Sequence, residues 1–199
     1  MKGAACPICD SDDQLKKIQS GVFPKIGPFV LYRCQRCGLV QTAPRPRPVY
    51  DAMNNLAERQ QYYETHRALL SEYAARDVAW VLQLHAYGSW LDIGCNVGGT
   101  LDGARSTGFD TWGVEAGFGA LVAQAHGHRI QHGYWGHDVF AAQQFDVVSL
   151  IHVIEHIDQP RLFLNSIGPR LKADGHLYVC VPNYASILRR AKGDGWYGL

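Results

Sequence analysis

Short apolar runs alternate with turn residues over the second half of the chain, and they predict strands with helices between them. An apolar run at 90–93 leads into a turn rich in glycine and a helix at 101–106, and a second apolar run at 111–115 follows. A strand, a helix and a strand within about 25 residues form a βαβ unit with parallel strands. Runs at 145–150 and 176–181 predict two more strands, the last apolar enough to be central in the sheet.

Helical periodicity precedes and follows this unit. From about Met53 to Ala86, apolar residues recur at spacings of three and four with charged residues between them, which predicts a helix that packs on the main domain. Asp158 and Pro160 have the residue types of an N-cap and a first turn, and they predict another helix. Its predicted buried face consists of Leu162, Phe163, Ile167 and Leu171.

Four of the six cysteines form two C-x-x-C pairs, Cys6 with Cys9 and Cys34 with Cys37. Two cysteines on a tight turn present both sulfurs to one tetrahedral ion, so the pairs predict a structural zinc site. The apolar run at 29–32 predicts the strand that leads into the second pair. Disulfides are the alternative, which an exported protein would favour. Redox chemistry would need a pair at the start of a helix in a βαβ unit.

Composition limits the class of protein. A chain of 199 residues with 47% apolar content is long enough for one buried core and a small additional module. No apolar run approaches the roughly 20 residues that span a bilayer, and the first residues lack an apolar signal segment, so we expect a cytoplasmic protein without a membrane partner. The first 50 residues hold 8 Lys and Arg against 3 Asp. This basic excess would suit an anionic partner such as a nucleic acid, although four metal-bound thiolates would offset much of it.

The turn after the first strand of the βαβ unit has the residue types of a cofactor site. Gly94, Gly98 and Gly99 allow positive φ angles and a close approach of a ligand to the backbone. Glu115 ends the next strand, 21 positions after Gly94, where a carboxylate accepts hydrogen bonds from both hydroxyls of a ribose. Asn96 replaces the second glycine of the dinucleotide fingerprint, so the pattern favours a nucleoside cofactor without a pyrophosphate.

Residues 91–98 resemble motif I of the class I S-adenosylmethionine-dependent methyltransferases, in which glycine usually stands at the position of Asn96. Segments 114–115, 145–157 and 171–177 are similar, in order, to later motifs of that family. The two C-x-x-C pairs resemble a bacterial subgroup in which a zinc ribbon precedes this domain and which includes sugar and other small-molecule methyltransferases. The resemblance implies an α/β fold with a Rossmann-like sheet. A complete domain has seven strands and this chain stops after about five, so we expect a fragment of a longer protein rather than a sheet completed by a partner.

Four segments make up the expected domain organisation. Residues 1–42 form the zinc ribbon, and residues 43–50 form a proline-rich linker. Residues 51–88 form a helical lead-in. Residues 89–199 form the S-adenosylmethionine-binding domain, which is expected to be incomplete.

The resemblance also implies roles for individual residues. The predicted cofactor-binding residues at and near the glycine turn are Asp92, Gly94, Cys95, Asn96, Gly98 and Glu115. Where the family often has an acidic residue that contacts adenine, Tyr134 and Trp135 stand here and would stack on the ring, or Asp138 would contact it from nearby. Apart from the resemblance, Tyr62 and Tyr63 precede the periodic stretch of the predicted helix, and they would either pack with it on the main domain or cover the cofactor or substrate.

Methyl transfer to a hydroxyl or a carbon acid benefits from a general base, a role that histidine suits near neutral pH. His152 follows the strand at 145–150 and is the first candidate, and His156 is the second. For each histidine, the alternative to a role as a base is a structural hydrogen bond. Glu155 and His156 stand at the start of a predicted helix, where such bonds are common.

The sequence therefore predicts a methyltransferase with a small-molecule acceptor, such as a sugar or a glycan precursor. Two alternatives remain. One is a ribosomal or transfer RNA methyltransferase in which the zinc ribbon contacts RNA, and the other is a non-catalytic module that binds the cofactor.

Overall fold

The structure, a computed structural model, describes residues 5–12, 14–23, 27–43 and 57–193. Residues 44–50 of the predicted linker and 51–56 of the predicted lead-in lie outside these ranges. The chain divides into two compact units. The first comprises Met1–Tyr50, Asp158–Arg161 and Pro182–Leu199, and the second comprises Asp51–Ile157 and Leu162–Val181.

The first unit contains an antiparallel sheet of three strands in the order β1-β2-β3. The strands are β1 (Leu15–Phe23), β2 (Gly27–Cys34) and β3 (Val40–Ala43). Phe29, Leu31 and Cys34 are buried on β2, which confirms the strand predicted to lead into the second cysteine pair. The sheet thus brings the end of β2 and its cysteine turn to the first cysteine pair.

The second unit contains a sheet of five strands in the order β6-β5-β4-β7-β8, and all neighbouring strands are parallel. The strands are β4 (Gly88–Ile93), β5 (Phe109–Glu115), β6 (Arg129–His132), β7 (Phe145–Ile151) and β8 (Leu171–Cys180). The strand order reverses at β4, whose neighbours are β5 and β7. In open parallel sheets, ligands bind beyond the carboxyl ends of the strands at such a reversal.

Four helices accompany the described part of this sheet: α1 (Ala57–Leu82), α2 (Gly99–Ser106), α3 (Gly119–Ala125) and α4 (Pro160–Ile167). Single 3-10 turns cover Ile154–His156 and Gly168–Arg170. Helix α1 confirms the described part of the helix predicted from about Met53. None of the helices in the described ranges has the length and apolar character needed to cross a bilayer.

Both faces of the sheet are buried, because side chains alternate along each strand. One core cluster includes Trp90 and Val147 and packs against Val78 of α1 and Leu101 of α2. The opposite cluster includes Leu91, Val148 and Leu150 and packs against Ile167 of α4. Burial on both faces explains the nearly continuous apolar runs that predicted β4 and β7.

Two expectations about packing are wrong. Strand β8 was expected to be central, but it is the last strand of the described sheet, and Leu177 and Val179 are exposed on it. An apolar run does not distinguish an edge strand from a central one. Leu162 was expected on the buried face of α4, but its side chain is 63% exposed and Leu164 packs on the core instead. Leu164 lies three residues before Ile167 and therefore shares its helical face.

The first unit also includes helix α5 (Ile187–Lys192). The guanidinium of Arg189 lies over the ring of Tyr184 at 4.0 Å from its centroid, and that of Arg33 lies 5.8 Å from the same centroid. Arg161 pairs with Asp10, next to the first cysteine pair. These contacts hold two later segments of the chain on the three-stranded module.

Candidate functional site

The turn after β4 has a backbone that glycine makes possible. Gly94, Asn96 and Gly98 have φ angles of 79°, 49° and 85°, all in the left-handed region. A Cβ atom at position 94 would lie only 2.5 Å from Cγ2 of Val153. Asparagine tolerates this region better than most residues, which explains how Asn96 can replace glycine. The turn therefore presents the exposed backbone of Gly94 at the carboxyl end of β4.

Glu115 lies directly beside this turn. Its Oε2 accepts a hydrogen bond from the backbone N–H of Asn96 at 2.9 Å, and its Oε1 accepts one from the N–H of Gly117 at 2.6 Å. Each carboxylate oxygen can accept a further hydrogen bond. The two oxygens are thus fixed in direction and still able to bind the adjacent hydroxyls of a ribose, so the residues present fit a nucleoside cofactor.

Asp92 is buried in the wall behind the turn. Its Oδ1 accepts a hydrogen bond from the Ser149 hydroxyl at 2.6 Å, and the Ser149 oxygen accepts one from the Trp90 indole N–H at 2.8 Å. Burial raises the pKa of Asp92 to about 7, against the lowering effect of Ser149, and the nearby charges of Glu115 and Asp77 raise it further. Asp92 therefore supports β4 and β7, and a direct contact with the cofactor stays a prediction.

Cys95 contributes its backbone to the turn, while its side chain lies in the core. The residue is 4% exposed, and a Cβ atom at Gly113 would lie 2.6 Å from its sulfur. Burial raises the pKa of the thiol well above its usual value, and the charges of Asp92 and Glu115 act in the same direction. The thiol is therefore a neutral packing group.

The two aromatic residues predicted near adenine have different environments. The Trp135 indole N–H donates to the Ser166 hydroxyl at 2.9 Å, and its ring packs on the core cluster beneath α4. Tyr134 is 73% exposed. Tyr134 is therefore the more exposed of the two residues. Asp138 is exposed and lies 3.0 Å from the His137 ring.

His152 and His156 follow β7, whose carboxyl end lies at the same edge of the sheet as the glycine turn. The Nδ1 atom of His152 lies 3.3 Å from Oε1 of Glu155. The hydrogen bond to Glu155 raises the pKa of His152, burial lowers it, and the charges of Glu155 and Asp77 raise it further. His156 is exposed in the 3-10 turn. The structure thus gives His152 a carboxylate partner.

Two polar residues at this edge of the sheet, Asp77 and Tyr178, could not be identified from the sequence pattern. The Tyr178 hydroxyl donates to Oδ1 of Asp77 at 2.9 Å. Tyr178 pairs in register with Ser149, which itself pairs with Asp92, so the three residues form one row across the sheet. Burial and then Asp77 raise the pKa of Tyr178 to about 12. Because Asp77 and Tyr178 lie 101 positions apart, only the fold brings them together.

A second polar network lies against the glycine turn at Gly98. Asp102 of α2 pairs with Arg67 of α1 and with Nε2 of His128, the latter at 3.0 Å. Nδ1 of His128 lies 2.8 Å from the Thr111 hydroxyl. Burial lowers the pKa of His128, which favours the neutral ring. A Cβ atom at Gly98 would lie 3.1 Å from this ring, so the network lies directly against the turn.

The four cysteines of the two C-x-x-C pairs lie together in the first unit. Their sulfur atoms are all within 4.8 Å of one another, with 3.6 Å between Cys6 and Cys37 and 3.7 Å between Cys9 and Cys34. The cysteines are free, and the spacing agrees with the roughly 3.8 Å between ligands of a tetrahedral ion with Zn–S bonds of about 2.3 Å. The cluster therefore fits a zinc ion with four thiolate ligands.

The parallel strand order, the glycine turn and Glu115 together define the Rossmann-like fold of the class I S-adenosylmethionine-dependent methyltransferases. The chain belongs to the family described as "Methyltransferase domain", which matches residues 56–199. This match confirms the fold and the family resemblance found in the sequence.

Two curated relatives are ubiquinone biosynthesis O-methyltransferases. The protein from Marinobacter nauticus is 29% identical over 103 residues, which cover 47% of this chain and 43% of that protein. The protein from Aeromonas salmonicida is 30% identical over 102 residues, which cover 47% and 42%. The matched segment thus spans less than half the length of these relatives.

Solved structures share the fold at low identity. A methyltransferase dependent on S-adenosylmethionine from Archaeoglobus fulgidus has a TM-score of 0.54 at 20% identity, covering 67% of this chain and 62% of that one. The plantazolicin methyltransferase BpumL, solved with S-adenosylhomocysteine, has a TM-score of 0.50 at 17% identity, covering 79% and 59%.

Proposed function

We propose that the protein transfers a methyl group from S-adenosylmethionine to a hydroxyl group of a small molecule. The observation that carries this proposal is the Glu115 carboxylate, which is hydrogen-bonded to the glycine turn at the carboxyl ends of β4 and β5. When bound, S-adenosylmethionine supplies a methyl group that its sulfonium already activates. The protein needs to bind the cofactor and the acceptor, orient them and exclude water. Positioning of this kind accounts for much of the rate in such transfers.

Each part of the cofactor has a candidate partner. The backbone of the turn, formed by Gly94, Cys95, Asn96 and Gly98, would lie against the methionine moiety and the ribose, and Glu115 would accept hydrogen bonds from the ribose hydroxyls. Asp92 would hold the turn in place from behind. Tyr134 would stack on adenine, whereas Trp135 would support the same loop through Ser166.

Two observations support a hydroxyl group as the acceptor. Both curated relatives are O-methyltransferases. In addition, His152 has a carboxylate partner at the edge of the sheet where the cofactor would bind. A base is useful when the attacking group must lose a proton, as a phenol or a sugar hydroxyl does. We keep a sugar or a glycan precursor among the acceptors to test, with His152 as the base and His156 as the second candidate.

The first unit would hold a structural zinc ion through Cys6, Cys9, Cys34 and Cys37. Four protein ligands leave no open position on a tetrahedral ion, so the metal would stabilise the module and take no part in methyl transfer. The boundaries proposed for the chain remain a zinc ribbon at 1–42, a linker at 43–50, a helical lead-in at 51–88 and the cofactor-binding domain at 89–199.

Methyl transfer can be tested with labelled S-adenosylmethionine and a panel of phenols, sugars, nucleotide sugars and RNA. We expect label in a hydroxyl-bearing small molecule. Replacing His152 with alanine should lower kcat by about 100-fold or more, the usual contribution of a general base, and leave cofactor affinity unchanged. His137→Ala is the matched control, because His137 is also exposed and also paired with a neighbouring carboxylate. Transfer to RNA alone, or full activity of His152→Ala, would contradict the proposal.

A further inference from the structure

His152 has an unusual backbone conformation. Its φ angle is 56°, in the left-handed region that side chains rarely adopt. The conformation is held by a hydrogen bond from its backbone N–H to the carbonyl of Cys180 on β8, at 2.9 Å. Outside glycine, such a residue costs free energy and persists where the surroundings fix it, often at a functional site. The direction in which the imidazole leaves β7 is therefore set by the fold.

Glu155 meets this imidazole from the following 3-10 turn. Glu155 lies in the turn Ile154–His156, and its Oε1 is 3.3 Å from Nδ1 of His152, which precedes the turn. A carboxylate only accepts hydrogen bonds, so Nδ1 carries the proton and Nε2 is the basic nitrogen. The contact therefore selects one tautomer of His152.

The other carboxylate oxygen of Glu155 makes no hydrogen bond to the described residues. Oε2 is buried and has no hydrogen-bond partner among the described residues, although the side chain as a whole is 24% exposed. An unpaired buried acceptor costs free energy, and a charged one costs more. A carboxylate kept in such a position despite this cost is better explained by what it does to His152.

We propose that Glu155 is a positioning residue that holds His152 in the tautomer and orientation needed to deprotonate the hydroxyl of the methyl acceptor. This inference rests on the proposed function and adds a second residue to it. In the step, the acceptor oxygen forms a bond to the methyl carbon as the bond from that carbon to sulfur breaks. The hydroxyl proton moves to Nε2 of His152, and the resulting imidazolium, paired with Glu155, later releases it to water.

The acceptor class follows from this dyad. A neutral amine attacks through its lone pair and loses no proton in the transfer step itself, so it gains less from a base paired with a carboxylate. A phenol or an alcohol gains much more, because its oxygen becomes a far better nucleophile as the proton leaves. The dyad therefore selects hydroxyl acceptors over amines.

The charges around His152 give the dyad a pH signature. Glu155 and Asp77 of α1 both raise the pKa of His152, and partial burial lowers it. Cys180 lies on the neighbouring strand β8, and burial and the charge of Asp77 raise the pKa of its thiol, which favours the neutral form. Removing the charge of Glu155 should therefore lower the pKa of His152, and activity should reach its plateau at a lower pH.

The test is a histidine NMR titration of the full zinc-loaded chain, which needs no acceptor. In the wild type, we expect a pKa for His152 above 6.5 and the tautomer protonated on Nδ1. In Glu155→Gln, the pKa of His152 should fall, because a neighbouring opposite charge is lost, and the tautomer preference should weaken. Glu72→Gln is the control, because it removes an exposed carboxylate on α1. It should change neither the pKa nor the tautomer preference of His152. An unchanged titration and tautomer of His152 in Glu155→Gln would overturn the proposal.

Cofactor binding on the same samples separates this inference from the proposed function. If S-adenosylmethionine binds the wild type and Glu155→Gln equally while His152 titrates as described, both proposals stand. If the cofactor binds and His152 is unaffected by Glu155→Gln, only the dyad fails. If the folded wild type does not bind the cofactor, the proposed function fails, whatever the titration shows. With an acceptor in hand, Glu155→Gln should lower kcat and leave the KM for S-adenosylmethionine unchanged.

Discussion

Gly94→Ala is expected to lower the affinity for S-adenosylmethionine by at least about 100-fold, or about 2.7 kcal/mol. The backbone at position 94 has a φ of 79°, which costs a residue with a side chain about 1–2 kcal/mol. In addition, the new methyl group would lie 2.5 Å from Cγ2 of Val153, so the turn or the segment after β7 would have to move. Either movement displaces the backbone that is proposed to contact the cofactor. Calorimetry with S-adenosylmethionine measures the effect.

Two variants separate the steric clash from the backbone strain. Gly108 also has a positive φ, 100°, but a Cβ atom there would meet nothing within 4 Å, so Gly108→Ala reports the cost of strain alone. Combining Gly94→Ala with Val153→Ala removes the clashing Cγ2 atom and should recover part of the affinity. The account of the turn fails if Gly94→Ala binds the cofactor as tightly as Gly108→Ala does.

Removal of the metal is expected to unfold the three-stranded sheet of the first unit. We expect one zinc ion per chain, and structural zinc sites of this type contribute roughly 10 kcal/mol or more of folding free energy. Cys37→Ser, which replaces one of the four sulfurs, should abolish stoichiometric zinc binding and expose the amides of β1, β2 and β3 to hydrogen exchange. Metal analysis combined with exchange mass spectrometry measures both effects.

Cys180→Ser is the matched control for the metal site, because Cys180 lies on β8, outside the four-cysteine cluster. It should retain one zinc ion and full protection of the three strands. Amides in β1–β3 that remain protected after complete chelation would contradict a zinc-dependent fold, and a disulfide detected under reducing conditions would contradict the thiolate site.

The strands and the turn were predictable because they depend on local sequence. The apolar run that includes Trp90 and Leu91 and the glycines that follow predict a buried strand and a tight turn from residues that are neighbours in the chain. Glu115 was predictable because the length of a βαβ unit fixes where its second strand ends. The cysteine pairs were predictable because ligand spacing is itself a local property.

The features that the sequence did not predict depend on distant contacts or on a neighbouring strand. The exposure of Leu177 depends on β8 being the last described strand, which its own composition does not indicate. The orientation of Trp135 depends on Ser166, which lies on α4. The Asp77–Tyr178 hydrogen bond requires both α1 and β8 to be in place. In each case the amino-acid sequence is compatible with several contacts for the side chain, and the tertiary structure determines which one forms.

The measurement that tests the central claim most directly is calorimetric binding of S-adenosylmethionine to the zinc-loaded chain and to Glu115→Gln. Glutamine offers only one acceptor oxygen, so it cannot accept from the N–H groups of both Asn96 and Gly117 and still bind two ribose hydroxyls. We expect the wild type to bind and Glu115→Gln to bind about 10- to 100-fold more weakly, since each charge-assisted hydrogen bond contributes about 1.5–3 kcal/mol.

Asp110→Asn is the control, because it changes an exposed carboxylate on the same strand that is paired with Arg129. It should bind like the wild type. A folded, zinc-loaded wild type that does not bind S-adenosylmethionine, or a Glu115→Gln variant that binds it as tightly as Asp110→Asn, would contradict the assignment of this site.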